Sequence, residues 1–218
     1  MSDLSITQQY YICALNDHGV IPSSYPAISG CIVAGSLLDM QLEDCIQIEK
    51  KVVLISGLLS ERLWYLKPLY DYINQSKPVK LSEIVQKFSF TSKKNSICEL
   101  IMTSLKDKNL GKSSEVGIIF KKEAYIPRID VISEIIGKIR SELLENGNLS
   151  HEVIILTILL QNSGLIKKYF SKFEQKELKS KTKEFKNSDE NIFVKDIVNQ
   201  INMVMSSTNS VIYMATMM

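Results

Sequence analysis

The chain has 218 residues and 45% hydrophobic content, which is enough to bury a substantial core and excludes disordered and collagen-like classes. Its 26 Lys and Arg against 24 Asp and Glu give a net charge of +2, so any basic site must be local. The longest apolar run, residues 153–160, is far shorter than the roughly 20 residues of a membrane-spanning helix. Any membrane contact is therefore expected to be peripheral.

The first quarter of the chain predicts two helices followed by a hairpin. Apolar residues recur at near-helical spacing in residues 4–15, which indicates an amphipathic helix. Residues 27–38 are apolar all round with small residues between, which is typical of a buried core helix. Residues 45–49 and 52–55 are short β-branched pieces joined at Lys50-Lys51, and they predict a small hairpin.

The same order recurs in the middle of the chain, and the remainder is purely helical. Thr91 and Ser92 are typical of a turn and a helix cap, and they separate the predicted helices at residues 80–88 and 97–105. The predicted elements are helices at residues 60–73, 80–88 and 97–105, a hairpin at 116–120 and 123–126 around Lys121-Lys122, and helices at 129–144, 150–160, 165–186 and 196–218, with turns at 146–148 and 162–164. Since no linker interrupts this order, we predict a single domain over residues 1–218. The predicted fold class is mainly α, a compact helical domain with small β-hairpins.

Catalytic and metal-binding motifs are absent from the sequence. The two histidines, His18 and His151, have no neighbouring ligands at metal-binding spacing, and no GxxxxGK[ST], GxGxxG or GxSxG string occurs. The cysteines have no CxxC pair and lie among apolar neighbours, so we predict four buried thiols in a reducing compartment: Cys13, Cys31, Cys45 and Cys98. We therefore expect a protein that is not an enzyme and needs no cofactor.

Two features of the sequence could carry binding. The helix-helix-hairpin order of residues 80–126 could form a winged helix, although the helix that would read bases has no Arg and carries Glu99 and Asp107. The second feature is a lysine stripe in residues 167–186, for which a solvated helix face and attraction to anionic lipid are the alternatives. The lysines at spacings of three and four are Lys168, Lys172, Lys176, Lys179, Lys183 and Lys186.

Several ordered segments resemble one known family. They are LSITQQYYICALND at residues 4–17, CIQIEKKVVL at 45–54, SLKDKNL at 104–110 and SHEVIILTILLQNS at 150–163. In this pattern and order the chain is similar to the Golgi phosphoprotein 3 family from about residue 4 to residue 215. The resemblance implies a mainly helical fold without catalysis, with a protruding hairpin, here residues 116–126, for membrane insertion or self-association into a homo-oligomer. It also implies a cytoplasmic protein that lies peripherally on the cytoplasmic face of a membrane.

Eukaryotic members of that family bind phosphatidylinositol 4-phosphate and hold protein clients, the glycosyltransferase tails. The resemblance places their headgroup-binding Trp and three Arg at positions that hold other residues in this chain, namely Ser24, Val33, Asn95 and Cys98.

Nearby residues could substitute for the missing ones. Tyr25 could lie against a sugar ring, and Lys93 and Lys94 begin the helix whose amide dipole favours phosphate. Lysine lacks the bidentate fork of arginine, so a loose anionic site is expected rather than a selective one. We therefore predict an adaptor that binds anionic phospholipid, with a phosphoinositide as the candidate, through Tyr25, Lys93 and Lys94. The alternative is a winged-helix-like nucleic-acid-binding protein, and we do not expect nucleic acid as the partner.

Overall fold

The computed structural model describes residues 4–22, 26–75, 77–117, 122–145, 150–187 and 199–209. Within these ranges most residues are helical, and the strands form two small antiparallel sheets, so the predicted mainly α fold class is confirmed. In chain order the elements are α1 (Ile6–Ala14), α2 (Pro26–Leu42), β1 (Ile46–Glu49), β2 (Val52–Ile55), a 3₁₀ helix (Glu61–Leu66), α3 (Lys67–Ile73), β3 (Val79–Lys80), α4 (Leu81–Phe90), α5 (Ser92–Asp107), β4 (Gly111–Val116), β5 (Lys122–Pro127), α6 (Ile129–Ile139), a π-helical turn (Arg140–Leu144), α7 (His151–Asn162), α8 (Ile166–Tyr169), α9 (Lys172–Asn187) and α10 (residues 199–209).

Helix α1 begins where two side chains satisfy its free amide groups. The Ser5 Oγ accepts from the Gln8 backbone N–H at 3.2 Å, and the Gln8 Oε1 accepts from the Ser5 N–H at 3.1 Å. From α2, the buried Asp39 carboxylate accepts from the backbone N–H groups of Ile6 and Thr7, both at 2.9 Å. Burial raises the pKa of Asp39, and these hydrogen bonds act against that rise. The first predicted helix is confirmed in position, but the prediction that it is amphipathic was wrong, because all of its residues are buried. The Gln8 side chain is satisfied by hydrogen bonds inside the protein, and Asp39 joins the N-terminus of α1 to α2.

Helix α2 is the core helix that the sequence predicts. It packs against α1, α4 and α7, and its small residues let these neighbours come close. A Cβ at Gly35 would lie 3.3 Å from the Thr7 Oγ1, and one at Gly30 would lie 2.5 Å from the Thr208 Oγ1 of α10. Glycines inside α2 therefore serve helix packing.

The first hairpin is confirmed in position and register. Strands β1 and β2 pair from Ile46 with Ile55 to Glu49 with Val52. The turn residues Lys50 and Lys51 have φ angles of 45° and 74°, the left-handed pair of a tight two-residue hairpin turn. Strand β3 pairs with β2, and the sequence did not predict it because two residues are too few for a periodic signal.

The helix-helix-hairpin order of the middle segment is confirmed, but one helix is broken. The predicted helix at residues 60–73 is a 3₁₀ helix followed by α3, with a non-helical Leu63 at φ −101° and ψ 19°. Pro68 lies in the first turn of α3, where its missing N–H costs no helical hydrogen bond. The predicted cap before α5 is confirmed, because the Thr91 side chain accepts from the Lys93 N–H at 3.2 Å.

The prediction for the second hairpin was wrong in its first strand. Strand β4 covers Gly111–Val116 rather than residues 116–120, and it pairs with β5 from Gly111 with Pro127 to Val116 with Lys122. Most of β4 is polar, so its sequence lacks a strand pattern. It is a strand because it pairs with β5, in which Ala124 and Tyr125 are buried. Residues 118–121, which include the predicted hairpin tip, lie outside the described ranges.

The predicted C-terminal helices are found with two changes. The helix predicted at residues 129–144 ends in a π-helical turn after Ile139, and the lysine-rich helix is divided into α8 and α9 around Ser171. The predicted turn at residues 146–148 and parts of the last predicted helix lie outside the described ranges. Across the described segments, no helix has the length and hydropathy needed to cross a bilayer.

Candidate anion-binding cleft

The two predicted site lysines lie next to each other in the first turn of α5 but line different cavities. Lys94 lines a cleft that also includes Asn95 and Cys98. Lys93 lines a separate groove with Tyr72 and Phe88. Tyr25, the third predicted site residue, and Ser24 lie outside the described residues, and Val33 is buried in α2. The structure thus separates the predicted pair of lysines and brings together two of the four positions that the family resemblance singled out.

The cleft beside α5 has a volume of about 140 Å³ and is built from segments far apart in the sequence. Helix α1 supplies one wall, the turn after α1 a second, and β5 a third. The lining residues are Tyr11, Gly19, Val20, Ile21, Lys94, Asn95, Cys98, Glu99, Met102 and Glu123.

The turn that follows α1 is held rigidly against β5. The Tyr125 backbone N–H donates to the Gly19 carbonyl at 2.9 Å, and Gly19 has a φ of 74°. A Cβ at this position would lie 2.6 Å from the Tyr125 carbonyl oxygen, so only glycine fits without a shift. The Asn16 Oδ1 also accepts from the N–H groups of His18 and Val20 at 3.0 and 3.1 Å. This wall of the cleft is therefore preformed.

The cleft is lined by both acidic and basic side chains. Lys94 is opposed by Glu99, while Glu123 forms an ion pair with Lys106. Burial raises the pKa of Tyr11, and the nearby Cys98, Glu99 and Glu123 raise it further. An anion in this cleft would have Lys94 and the Asn95 amide as its donors.

The groove that contains Lys93 was missed by sequence reasoning. The Lys87 Nζ lies 4.5 Å from the centre of the Tyr72 ring, a cation–π distance, and Tyr72 packs edge-on against Phe88. Asp71 at the groove is paired with Lys67 at 2.7 Å. Lys87 and Tyr72 belong to different helices, so no local pattern of residues links them.

The largest of these cavities, about 610 Å³, lies at the other end of α1 and was also not predicted. It holds the buried Asp39 and the pair formed by Arg62 and Glu43, whose side chains are 3.1 Å apart. His151 and Glu152 lie across from them at the start of α7. The Asp39 carboxylate already accepts hydrogen bonds from the first turn of α1, so its role is to stabilise the fold.

The predicted lysine stripe loses one member in the structure. The Lys168 Nζ donates to the Leu15 carbonyl at 2.7 Å and so caps the end of α1. The side chain of Lys186 lies outside the described residues. The stripe that faces solvent consists of Lys172, Lys176, Lys179 and Lys183, all on α9.

The start of α9 is fixed by an ion pair that should respond to acid. The Glu174 Oε1 accepts from the Arg140 Nε at 2.7 Å, and its other oxygen accepts from the Ser171 N–H at 2.7 Å. The guanidinium of Arg140, followed by the Ser171 bonds, lowers the pKa of Glu174 from 4.5 to about 2.

The stabilisation from Glu174 is therefore complete above pH 4.5 and lost as the pH falls toward 2. We expect the Glu174→Gln variant to be less stable than the wild type at pH 7, with the difference shrinking over this acid range. Urea unfolding of both proteins at several pH values measures it. Arg140→Gln should show the same convergence, and a difference that stays constant with pH would contradict the assignment.

Three of the four predicted buried thiols, Cys13, Cys31 and Cys45, are buried as expected, whereas Cys98 is half-buried at the cleft. All four are free thiols. Burial raises the pKa of Cys13 and of Cys31 to about 12, so both remain protonated at neutral pH. Within the described ranges, no group of three or more His, Cys, Asp or Glu is arranged to hold a metal ion.

Comparison with protein-family models matches residues 6–204 to the family described as Golgi phosphoprotein 3 (GPP34). Among curated proteins, a sequence search found no match. The family match covers most of the chain and includes α1, the cleft beside α5 and both hairpins. The chain therefore belongs to the Golgi phosphoprotein 3 family.

Proposed function

We propose that this protein is a non-enzymatic, peripheral membrane adaptor that binds anionic lipid at the start of α5, with phosphatidylinositol 4-phosphate as the candidate headgroup. One observation carries the proposal. The cleft beside α5 is lined by Asn95 and Cys98, the positions where the family resemblance places two headgroup-binding arginines, and Lys94 lies beside them. The positive end of the α5 helix dipole also favours a phosphate there.

The balance of charges in the cleft favours a loose headgroup site. Lys94 is a single cation without the paired donors of an arginine fork, and Glu99 lies one helical turn from Asn95. Lys93, in the neighbouring groove with Lys87, adds positive charge at the same end of α5. In this proposal Lys94 contacts the phosphate and Lys93 supplies general attraction to the membrane. Tyr25, which is outside the described residues, is assigned to the headgroup from the sequence alone.

Family membership and the second hairpin support the adaptor role. The matching family is described as Golgi phosphoprotein 3, and we propose a peripheral position on the cytoplasmic face of a membrane for this chain. Ile126 of β5 is 44% exposed and Ile129 just after it is 82% exposed. Exposed aliphatic side chains at the base of the hairpin suit contact with lipid, a protein client or a second copy of the chain.

Replacing Lys93 and Lys94 together by Glu is expected to abolish binding to vesicles that contain phosphatidylinositol 4-phosphate. Each lysine near an anionic surface is worth about 1 kcal/mol, so two charge reversals should lower the partition coefficient by at least about thirtyfold. Lys93 is exposed and Lys94 is half-buried at the cleft, and neither belongs to the core, so the fold should be unaffected. Vesicle co-sedimentation at physiological salt, with circular dichroism as a folding check, measures this.

The matched control reverses two exposed lysines elsewhere, Lys50→Glu with Lys51→Glu at the β1–β2 turn. Equal losses in the two double variants would contradict a site at α5. Comparison with vesicles matched in charge by phosphatidylserine tests headgroup preference. A duplex DNA arm tests the nucleic-acid alternative, and salt-sensitive DNA binding that is lost with Lys93 and Lys94, with vesicle binding unchanged, would overturn the proposal.

A further inference from the structure

The exposed lysines of α9 form a straight row on one side of the helix. At 100° per residue, Lys172, Lys176, Lys179 and Lys183 fall within an arc of about 60°, and the row is about 16 Å long. A different side of α9 packs on the protein, because Leu178 and Thr182 are buried. None of the four lysines forms an ion pair with a carboxylate of the described segments. Within those segments, no carboxylate neutralises the charge of this row.

An exposed aromatic ring lies beside this row. Phe173, in the first turn of α9, is 73% exposed, although most phenylalanines of a folded protein are buried. A large apolar ring flanked by lysines is the pattern of helices that lie in a membrane interface, where the ring enters the boundary of the acyl chains and the ammonium groups meet lipid phosphates. Glu177 and Glu184 lie on the same flank farther along, so the first turn of α9, with Lys172 and Phe173, is the more favourable end.

Contacts of α8 and α9 with the rest of the protein fix the position of this row. The Tyr169 hydroxyl donates to the Cys13 carbonyl at 2.6 Å, and the Lys168 Nζ donates to the Leu15 carbonyl. The turn that follows α1, which forms one wall of the cleft, therefore starts beside α8. Arg140 and Glu174 fix the direction of α9. The backbone of α9 is thus preformed, so little backbone order has to be gained on binding.

We propose that the lysine face of α9, with Phe173 at its N-terminal end, is a second membrane-contact surface that binds the headgroup layer of an anionic bilayer. We favour a bilayer as the binding partner for two reasons. The row lies along a convex helix surface, so its charges complement the negative charge that is distributed over a layer of lipid headgroups. Phe173 can be buried only in an apolar layer, and a bilayer has one directly beneath the headgroups. The inference rests on the proposed peripheral membrane function, but it does not depend on the headgroup site at α5.

The test uses vesicles of phosphatidylcholine with phosphatidylserine and no phosphoinositide. We expect the full-length Lys172→Gln, Lys176→Gln, Lys179→Gln, Lys183→Gln variant to partition about six-hundredfold more weakly than the wild type, since each lysine is worth about fivefold near the surface and the four factors multiply. The matched control removes the same number of charges at and near the β1–β2–β3 sheet. It carries Lys50→Gln, Lys51→Gln, Lys77→Gln and Lys80→Gln, and all four lysines are exposed. An equal loss in both quadruple variants would overturn the proposal.

Two further measurements distinguish a membrane-contact surface from a nucleic-acid surface and from a general effect of exposed apolar side chains. Phe173→Ser should weaken vesicle binding severalfold, whereas Leu58→Ser, which removes an 89% exposed leucine elsewhere, should not. Loss of duplex DNA binding by the α9 variant with unchanged vesicle binding would make the row a nucleic-acid surface and overturn the proposal.

Binding of soluble inositol 1,4-bisphosphate, followed by NMR shifts of Asn95, reports on the cleft alone and should survive the α9 substitutions. If the soluble headgroup binds and the α9 variant retains full vesicle binding, the α9 surface fails and the proposed headgroup site stands. If vesicle binding depends on α9 and the soluble headgroup does not bind, the headgroup site fails and the α9 surface stands. A wild-type protein that binds neither probe would overturn both.

Discussion

Combining Asn95→Arg with Glu99→Gln is expected to raise the affinity for vesicles containing phosphatidylinositol 4-phosphate by about a hundredfold. Asn95 is exposed at the mouth of the cleft, and an arginine there can give two parallel hydrogen bonds to a phosphate. A charge-assisted hydrogen bond contributes about 2 kcal/mol, and removal of the opposing Glu99 charge adds about 1 kcal/mol. The double variant also places an arginine where the family resemblance implies one.

The control is a second double variant that changes the net charge of the same helix by the same amount. Ser96→Arg with Asp107→Asn alters exposed residues of α5 that do not line the cleft. Surface plasmon resonance on vesicles with and without phosphatidylinositol 4-phosphate measures both variants. We expect the control to gain only modestly and equally on both vesicle types. A control that gained as much as Asn95→Arg with Glu99→Gln would show that charge alone governs binding and that the cleft is not the headgroup site.

Replacing Asp39 by Ala should lower the free energy of unfolding by about 3 kcal/mol or more. The substitution removes a buried carboxylate that accepts from two backbone N–H groups of α1, and it leaves both donors without their partner. Urea unfolding followed by circular dichroism measures the loss.

Asp71→Ala provides the comparison for Asp39. Asp71 is an exposed residue paired with Lys67 on α3, and its loss should cost no more than about 0.5 kcal/mol. Asp39→Asn should fall between these values, because an amide keeps one acceptor oxygen for the α1 amides. Equal stability of the Asp39→Ala and Asp71→Ala variants would contradict the role of Asp39 as the cap of α1.

The sequence alone determined which segments are helices and which form the first hairpin. Those features depend on local chemistry: apolar spacing in α1 and α5, small residues along α2, the Thr91 cap, and two lysines that take a left-handed turn between β1 and β2. Each signal lies within a few residues of the element it produces. The resemblance of these ordered segments to one family, confirmed over residues 6–204, has the same origin.

Only the tertiary structure decided where a ligand can bind. The cleft joins Tyr11, Gly19, Lys94 and Glu123, which are brought together by packing rather than by spacing along the chain. Packing also placed Lys93 in a different groove from Lys94. Strand β4 exists because β5 offers hydrogen bonds to a polar segment with no strand pattern of its own. A sequence reports the interactions of a residue with its near neighbours, whereas the direction of a side chain and its partners depend on segments tens of residues away.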